Sequence, residues 1–192
     1  MTDSLTEGPY RLRYIAPGES VAAGEELYAT RVDGAGNPVT ASPRTPSLVN
    51  QENWWFSKAP DGKTWFIVSQ GPLPKGAGHG PVSLGFSHGV VKQGTPMNYA
   101  VASGCYVIKP LDNNEYIIAI APGASSSAES TGREYLVGIS SGHTVCPSTY
   151  SRKHIVLMER TASSKGTLEI REVKAHADGQ PVIPKWSFHK VE

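Results

Sequence analysis

One short phrase recurs three times along the chain: a run of alternating apolar residues, a tight turn, and a second alternating run. The first copy is Trp54-Trp55-Phe56-Ser57-Lys58, the turn Ala59-Pro60-Asp61-Gly62, then Lys63-Thr64-Trp65-Phe66-Ile67-Val68. The second is Cys105-Tyr106-Val107-Ile108-Lys109, the turn Pro110-Leu111-Asp112-Asn113-Asn114, then Glu115-Tyr116-Ile117-Ile118-Ala119-Ile120. The third is divided: Pro184-Lys185-Trp186-Ser187-Phe188-His189-Lys190 lies near one end of the sequence, and Gly8-Pro9-Tyr10-Arg11-Leu12-Arg13-Tyr14-Ile15 near the other. A period of roughly 50–55 residues marks a repeat architecture. A copy split this way requires the two terminal segments to pair as neighbouring strands. Three hairpins related in this manner predict a closed barrel with pseudo-threefold symmetry, and closure removes the edges an open sheet would expose.

The rest of the pattern agrees with an all-β chain. Apolar residues alternate with period two in Tyr10–Ile15, Thr64–Val68, Tyr106–Ile108, Tyr116–Ile120 and Ile155–Met158. Further strand candidates are Leu27–Val32, Val39–Ser42, Val82–Phe86, Val90–Lys92, Glu134–Ile139 and Thr167–Val173. Between them stand Pro17-Gly18, Asp33-Gly34, Asn37-Pro38, Pro122-Gly123 and Asp178-Gly179, all turn chemistry. About twelve strands in three groups of four describe a β-trefoil, six strands forming the barrel and three hairpins capping one end. We expect one domain over 1–192, with units near 8–63, 64–114 and 115–192 and extra material near 161–183. Thr167–Val173 reads as an added strand or hairpin arm, and Ala124–Gly132, small and polar, as a mobile loop.

Composition narrows the function classes. The chain has 192 residues, 39% hydrophobic and 18% charged, enough for a sizeable core without disulfides. Twenty glycines and 15 prolines suit many short strands joined by turns. A net charge of +1 gives no electrostatic footprint for nucleic acid or an anionic membrane. The polar start Met1-Thr2-Asp3-Ser4 lacks the basic and apolar regions of a signal peptide. No apolar run is long enough to span a bilayer. Two cysteines, Cys105 and Cys146, with no Asn-x-Ser/Thr sequon, favour free thiols in a reducing, cytoplasmic compartment, Cys105 as a buried packing residue.

Three loops stand out. Gly71-Pro72-Leu73-Pro74-Lys75-Gly76-Ala77-Gly78-His79-Gly80-Pro81 presents one lysine after two prolines that restrict its approach. A lone basic side chain on an extended segment resembles the substrate of a trypsin-like protease, whose specificity pocket carries an aspartate. A loop that enters such a cleft without productive cleavage inhibits it, with affinity drawn from preorganisation. Ala16–Glu26 links the first two strands and holds Gly24, where the absent Cβ permits close backbone approach. Pro43–Asn53 emerges beside it and exposes Leu48 and Val49 between prolines and polar residues. Two adjoining semi-rigid loops of this kind are expected to form a wedge.

Other motifs fail on context. Gly138-Ile139-Ser140-Ser141-Gly142 matches Gly-x-Ser-x-Gly, but His143-Thr144-Val145-Cys146-Pro147 follows where a nucleophile elbow needs a helix. Gly76-x-Gly78-x-Gly80 lacks the spacing and the strand–helix setting of a nucleotide loop. The six histidines are scattered without ligand spacing, so no metal is assigned. Trp54, Trp65 and Trp186 hold repeated strand positions and read as core.

Taken in order, several segments resemble the mycocypins, fungal β-trefoil protease inhibitors of the clitocypin and macrocypin type. They are Gly8-Pro9-Tyr10-Arg11-Leu12-Arg13, Tyr28-Ala29-Thr30, Pro38-Val39-Thr40-Ala41-Ser42-Pro43, Ala59-Pro60-Asp61-Gly62, Gln70-Gly71 with Gly85-Phe86-Ser87, and Ile183-Pro184-Lys185-Trp186-Ser187-Phe188. The resemblance implies no enzymatic activity and no cofactor. It implies reversible binding of papain-like cysteine proteases through loops that map onto Val21–Glu26 and Pro43–Gln51. It also implies a separate loop between the fifth and sixth strands. That loop targets legumain when it offers an asparagine and a trypsin-like serine protease when it offers a basic residue; here it offers Lys75. The candidate protease-binding residues are therefore Ala23, Gly24, Glu25, Leu48, Val49, Pro74, Lys75 and Gly76. The chain departs from the family where two adjacent glycines usually precede the Tyr-Ala-Thr strand: Gly24 is followed by Glu25 and Glu26. The alternative is a carbohydrate-binding trefoil, but the Gln-x-Trp signature of ricin-type lectins is missing from the repeated aromatic positions.

Overall fold

The computed structural model describes residues 5–16, 26–32, 34–69, 84–101, 104–121, 135–139, 166–172, 174–175 and 181–192. The first unit supplies β1 (Gly8–Ile15), β2 (Leu27–Thr30), β3 (Thr40–Pro43) and β4 (Asn53–Lys58). The second supplies β5 (Trp65–Val68), β6 (Leu84–Ser87), β7 (Asn98–Val101) and β8 (Tyr106–Pro110). Then come β9 (Glu115–Ile120), β10 (Tyr135–Ile139), β11 (Gly166–Glu172), β12 (Lys174–Ala175), β13 (Pro181–Val182) and β14 (Lys185–Lys190). Among the described residues the only helical element is the 3-10 turn Asp112–Asn114, and no helix is long and apolar enough to cross a membrane.

The pairings close a ring. β1 pairs β4, β4 pairs β5, β5 pairs β8, β8 pairs β9, β9 pairs β14, and β14 returns to β1, all antiparallel. The divided third copy of the phrase is the β14–β1 pair, in register from Tyr10↔Lys190 to Ile15↔Lys185. Three further hairpins, β2–β3, β6–β7 and β10–β11, cap the barrel. Near the start of their second arms they meet in a cycle of backbone hydrogen bonds: Val39 N–H donates to Met97 O, Met97 N–H to Leu168 O, and Leu168 N–H to Val39 O, each at 2.8 Å. All three residues are fully buried. The molecule is a β-trefoil, and this cycle marks its pseudo-threefold axis.

The alternation seen in the sequence is the barrel's inward face. Tyr10, Leu12, Trp54, Phe56, Trp65, Ile67, Tyr106, Ile118 and Trp186 join one cluster with cap residues Ala29, Val39, Phe86, Met97, Val137, Leu168 and Ile170. Trp54 meets Phe86 edge to face at 4.6 Å, and Tyr14 meets Trp186 at 5.3 Å, the geometry the ring quadrupoles favour. Burying each such side chain contributes about 1.5–3 kcal/mol. Trp54, Trp65 and Trp186 are core residues, as their spacing indicates. Gly85 is required by contact: a Cβ there would lie 2.2 Å from Ile67 O.

Several expectations shift. Val90–Lys92 forms no strand; it lies between Gly89 and a turn at Gly94, whose φ is +82°, and the second hairpin's return arm is β7 instead. The expected strand Thr167–Val173 is observed as β11, Gly166–Glu172, the second arm of the third cap hairpin, pairing β10 from Leu168 to Glu172 and β3 at Gly166↔Ala41 and Thr167↔Thr40; Val173 lies outside the described residues. β12 and β13 form a separate ribbon. Cys105 is a free thiol but only half-buried. The expected strand Ile155–Met158, the Ala124–Gly132 loop and Cys146 lie outside the described residues.

Candidate functional site

Adjacent strand ends set the bases of two of the three singled-out loops side by side. Tyr14 pairs with Leu27 across the base of the first loop, and Leu27 also pairs with Pro43, where the second begins. Ala23, Gly24 and Glu25 lie outside the described residues, as do Pro74, Lys75 and Gly76; Leu48 and Val49 lie within them. The base of the Lys75 loop is pinned where Ser69 N–H donates to Leu84 O at 2.8 Å and the Ser69 hydroxyl meets Tyr99 OH at 2.9 Å.

The segment from Arg44 to Glu52 is a series of tight turns. Leu48 N–H donates to Thr45 O at 3.0 Å, and Leu48 O accepts from Gln51 N–H at 2.7 Å and from Glu52 N–H at 3.1 Å. The Thr45 and Ser47 hydroxyls meet at 3.1 Å. Arg31 braces the return: its N–H donates to Gln51 O at 3.0 Å and its guanidinium to Asn53 O at 3.2 Å. Asn53 Oδ1 accepts from Arg11 Nε at 3.1 Å. Backbone groups that would otherwise need water are thus satisfied inside the loop. Leu48 and Val49 are half-buried rather than fully exposed.

Beneath these bases lies a charged cluster that sequence reasoning did not find. It comprises Arg11 and Arg13 on β1, Tyr28 on β2, Glu26, Arg44, Glu52 and His189. Arg13 and Tyr28 are cross-strand partners, as are Arg11 and His189. Arg13 is buried and lies 3.8 Å from the Glu26 carboxylate, whose side chain is 61% exposed. Burial, then the nearby Glu26 charge, raises the Tyr28 hydroxyl pKa above its usual range. Partial burial, then the Arg13 charge, lowers the His189 pKa. Glu52 is wholly enclosed at 0% exposure, and burial raises its pKa against the opposing Arg44 and Arg11 charges and the Thr45 N–H. In the sequence these residues are ordinary loop and strand charges; only the register brings them together.

At the barrel's open end a cavity of about 390 Å³ is lined by Leu5, Thr6, Tyr10, Asn114, Tyr116, Phe188 and Lys190. Tyr116 and Phe188 stack there at 4.4 Å. Among the described residues no acidic side chain lines it, unlike the acid-and-aromatic arrangement of ricin-type sugar sites.

No protein-family model matches the chain. Among characterised proteins it is similar to clitocypin-4/-3 and clitocypin-5 of Clitocybe nebularis, each 32% identical over 119 residues. Clitocypin from the same fungus is 31% identical over 118 residues. Each match covers 62% of this chain and 66% of the relative, just short of two thirds of its length. A mosquitocidal holotoxin structure superposes on 98% of this chain, using 18% of the toxin, with a TM-score of 0.55 and 12% identity, a likeness of fold alone.

Proposed function

We propose that this β-trefoil, similar to the clitocypins, is a protease inhibitor that blocks active-site clefts with its surface loops and performs no chemistry itself. The similarity to the clitocypins carries the proposal, and the shared base at Leu27↔Pro43 supports it by giving two loops one origin. The Ala23-Gly24-Glu25 segment and the Leu48-Val49 turn fill a papain-like cleft together. The rigid scaffold lowers the ordering entropy on binding, which is where a preorganised inhibitor gains affinity. Pro74-Lys75-Gly76 serves separately, its lysine entering the primary pocket of a trypsin-like serine protease.

An inhibition panel of papain, legumain, trypsin and chymotrypsin tests this. Wild type inhibits papain and trypsin. Lys75→Ala loses trypsin inhibition by about a hundredfold or more and keeps papain inhibition, because a buried specificity contact carries that share of affinity. Glu25→Gly strengthens papain inhibition, since a carboxylate desolvated without a partner opposes binding. Trypsin inhibition that survives Lys75→Ala removes the role given to that residue; a panel with no inhibition at all removes the proposal.

A further inference from the structure

Glu52 closes the segment that carries Leu48 and Val49. Its backbone N–H completes the turn to Leu48 O, and its side chain runs back toward Thr45 and Arg44 at the opposite base of the same loop. It is wholly buried, and among the described residues neither carboxylate oxygen has a partner at regular hydrogen-bond geometry, the Thr45 N–H being the one backbone donor aimed at it. A buried charge left so poorly matched is costly, and the neutral acid is the cheaper occupant. The groups facing it are Arg44 and the Thr45 N–H from the loop, Arg11 from β1 and Tyr28 from β2. Glu26, Arg13 and His189 lie one layer further, acting on Tyr28 and on one another.

We infer that Glu52 is the positioning residue of the Thr45–Gln51 loop, its neutral carboxyl group locking both bases of the loop and its ionised form loosening them. This rests on the papain-cleft reading only for its consequence in inhibition. The sign follows from linkage. Enclosure keeps the proton on Glu52 above the pH at which a free carboxyl group loses it. The closed loop therefore binds more protons than the open one, and its stability falls as pH rises through that interval. The loop is tightest under mildly acidic conditions and looser at neutrality.

Amide hydrogen exchange over Thr45–Gln51, expressed as protection relative to intrinsic rates, tests this without any protease. Wild type shows about tenfold higher protection near pH 5 than near pH 7. The isosteric Glu52→Gln variant shows no such difference and keeps high protection at both. His189→Gln serves as control and retains the wild-type slope. A slope that persists in Glu52→Gln, or vanishes only in His189→Gln, overturns the assignment. So does a Glu52 carboxyl titration, followed by carbon NMR in wild type, that falls at the ordinary carboxylate value. Papain inhibition measured on the same samples follows the protection. Where the slope is present and papain is not inhibited, the cleft reading fails and the role of Glu52 stands.

Discussion

Tyr106 stands where the other two units place a tryptophan. Trp54 Nε1 donates to Ala29 O at 2.8 Å, and Trp186 Nε1 to Val137 O at 3.0 Å, each tying a barrel strand to a cap strand. Tyr106 is equally buried, yet among the described residues its hydroxyl finds no hydrogen-bond partner, and it abuts Gly104, where a Cβ would lie 2.6 Å away. A lost partner strands a buried carbonyl at about 1–3 kcal/mol, whereas deleting a buried hydroxyl without a partner is nearly neutral. Urea unfolding should therefore show Trp54→Phe and Trp186→Phe each losing about 2–4 kcal/mol, cavity included. Tyr106→Phe should lie within about 1 kcal/mol of wild type, on either side. A loss at Tyr106 equal to that at the tryptophans would reveal a hydrogen bond at that hydroxyl. The alternation of apolar residues marks all three rings as core. It does not encode which ring atom meets a carbonyl, because the acceptors belong to strands far away in sequence.

At the scale of the element, the β4–β5 connection shows local chemistry sufficing. Asp61 Oδ1 accepts from Lys63 N–H at 2.8 Å and Thr64 N–H at 2.9 Å, Asp61 Oδ2 accepts from the Thr64 hydroxyl at 2.9 Å, and Gly62 takes φ +66°. The Thr64 and Lys63 hydrogen bonds lower the Asp61 pKa. With the folded value below the unfolded one, the contribution is present above the ordinary carboxylate range and lost as pH falls through it. Asp61→Ala should thus lower the urea midpoint slightly at neutral pH, the group being exposed and screened, and match wild type in strong acid. A gap independent of pH would assign the effect to the turn backbone instead. The second cap hairpin shows local chemistry misleading. Val90-Val91-Lys92 has strand-like residues but stands between glycines, while β7, Asn98-Tyr99-Ala100-Val101, is recruited by pairing with β6. Gly85 on β6 is the complementary case: Gly85→Ala should cost about 1–3 kcal/mol, because the obstructing atom is backbone and cannot swing away.

For the whole molecule, the divided third copy makes the architecture legible in the sequence, since only closure lets those two segments repeat the β4–β5 and β8–β9 hairpins. The site was less legible. Gly24, Lys75 and the Leu48-Val49 turn stand out by residue type, but Glu52 and its ring of charges exist only through the register of β1, β2 and β14. Closure also makes a demanding prediction. The β14–β1 pair is the counterpart of β4–β5, so the covalent link through Ala59–Lys63 and the missing link between the termini are interchangeable in the fold. A permutant with Glu192 joined to Met1 through a short glycine–serine linker, opened between Asp61 and Gly62, should fold to the same barrel. The price is the Asp61 turn and a different loop entropy, together about 1–3 kcal/mol. Opening the chain instead inside β10, between Val137 and Gly138, severs a strand that pairs β11 over its whole length and receives the Trp186 hydrogen bond. That permutant should not fold cooperatively. Far-UV circular dichroism and urea unfolding of the two separate the cases, and equal behaviour would mean that closure through the terminal strands does not govern the fold.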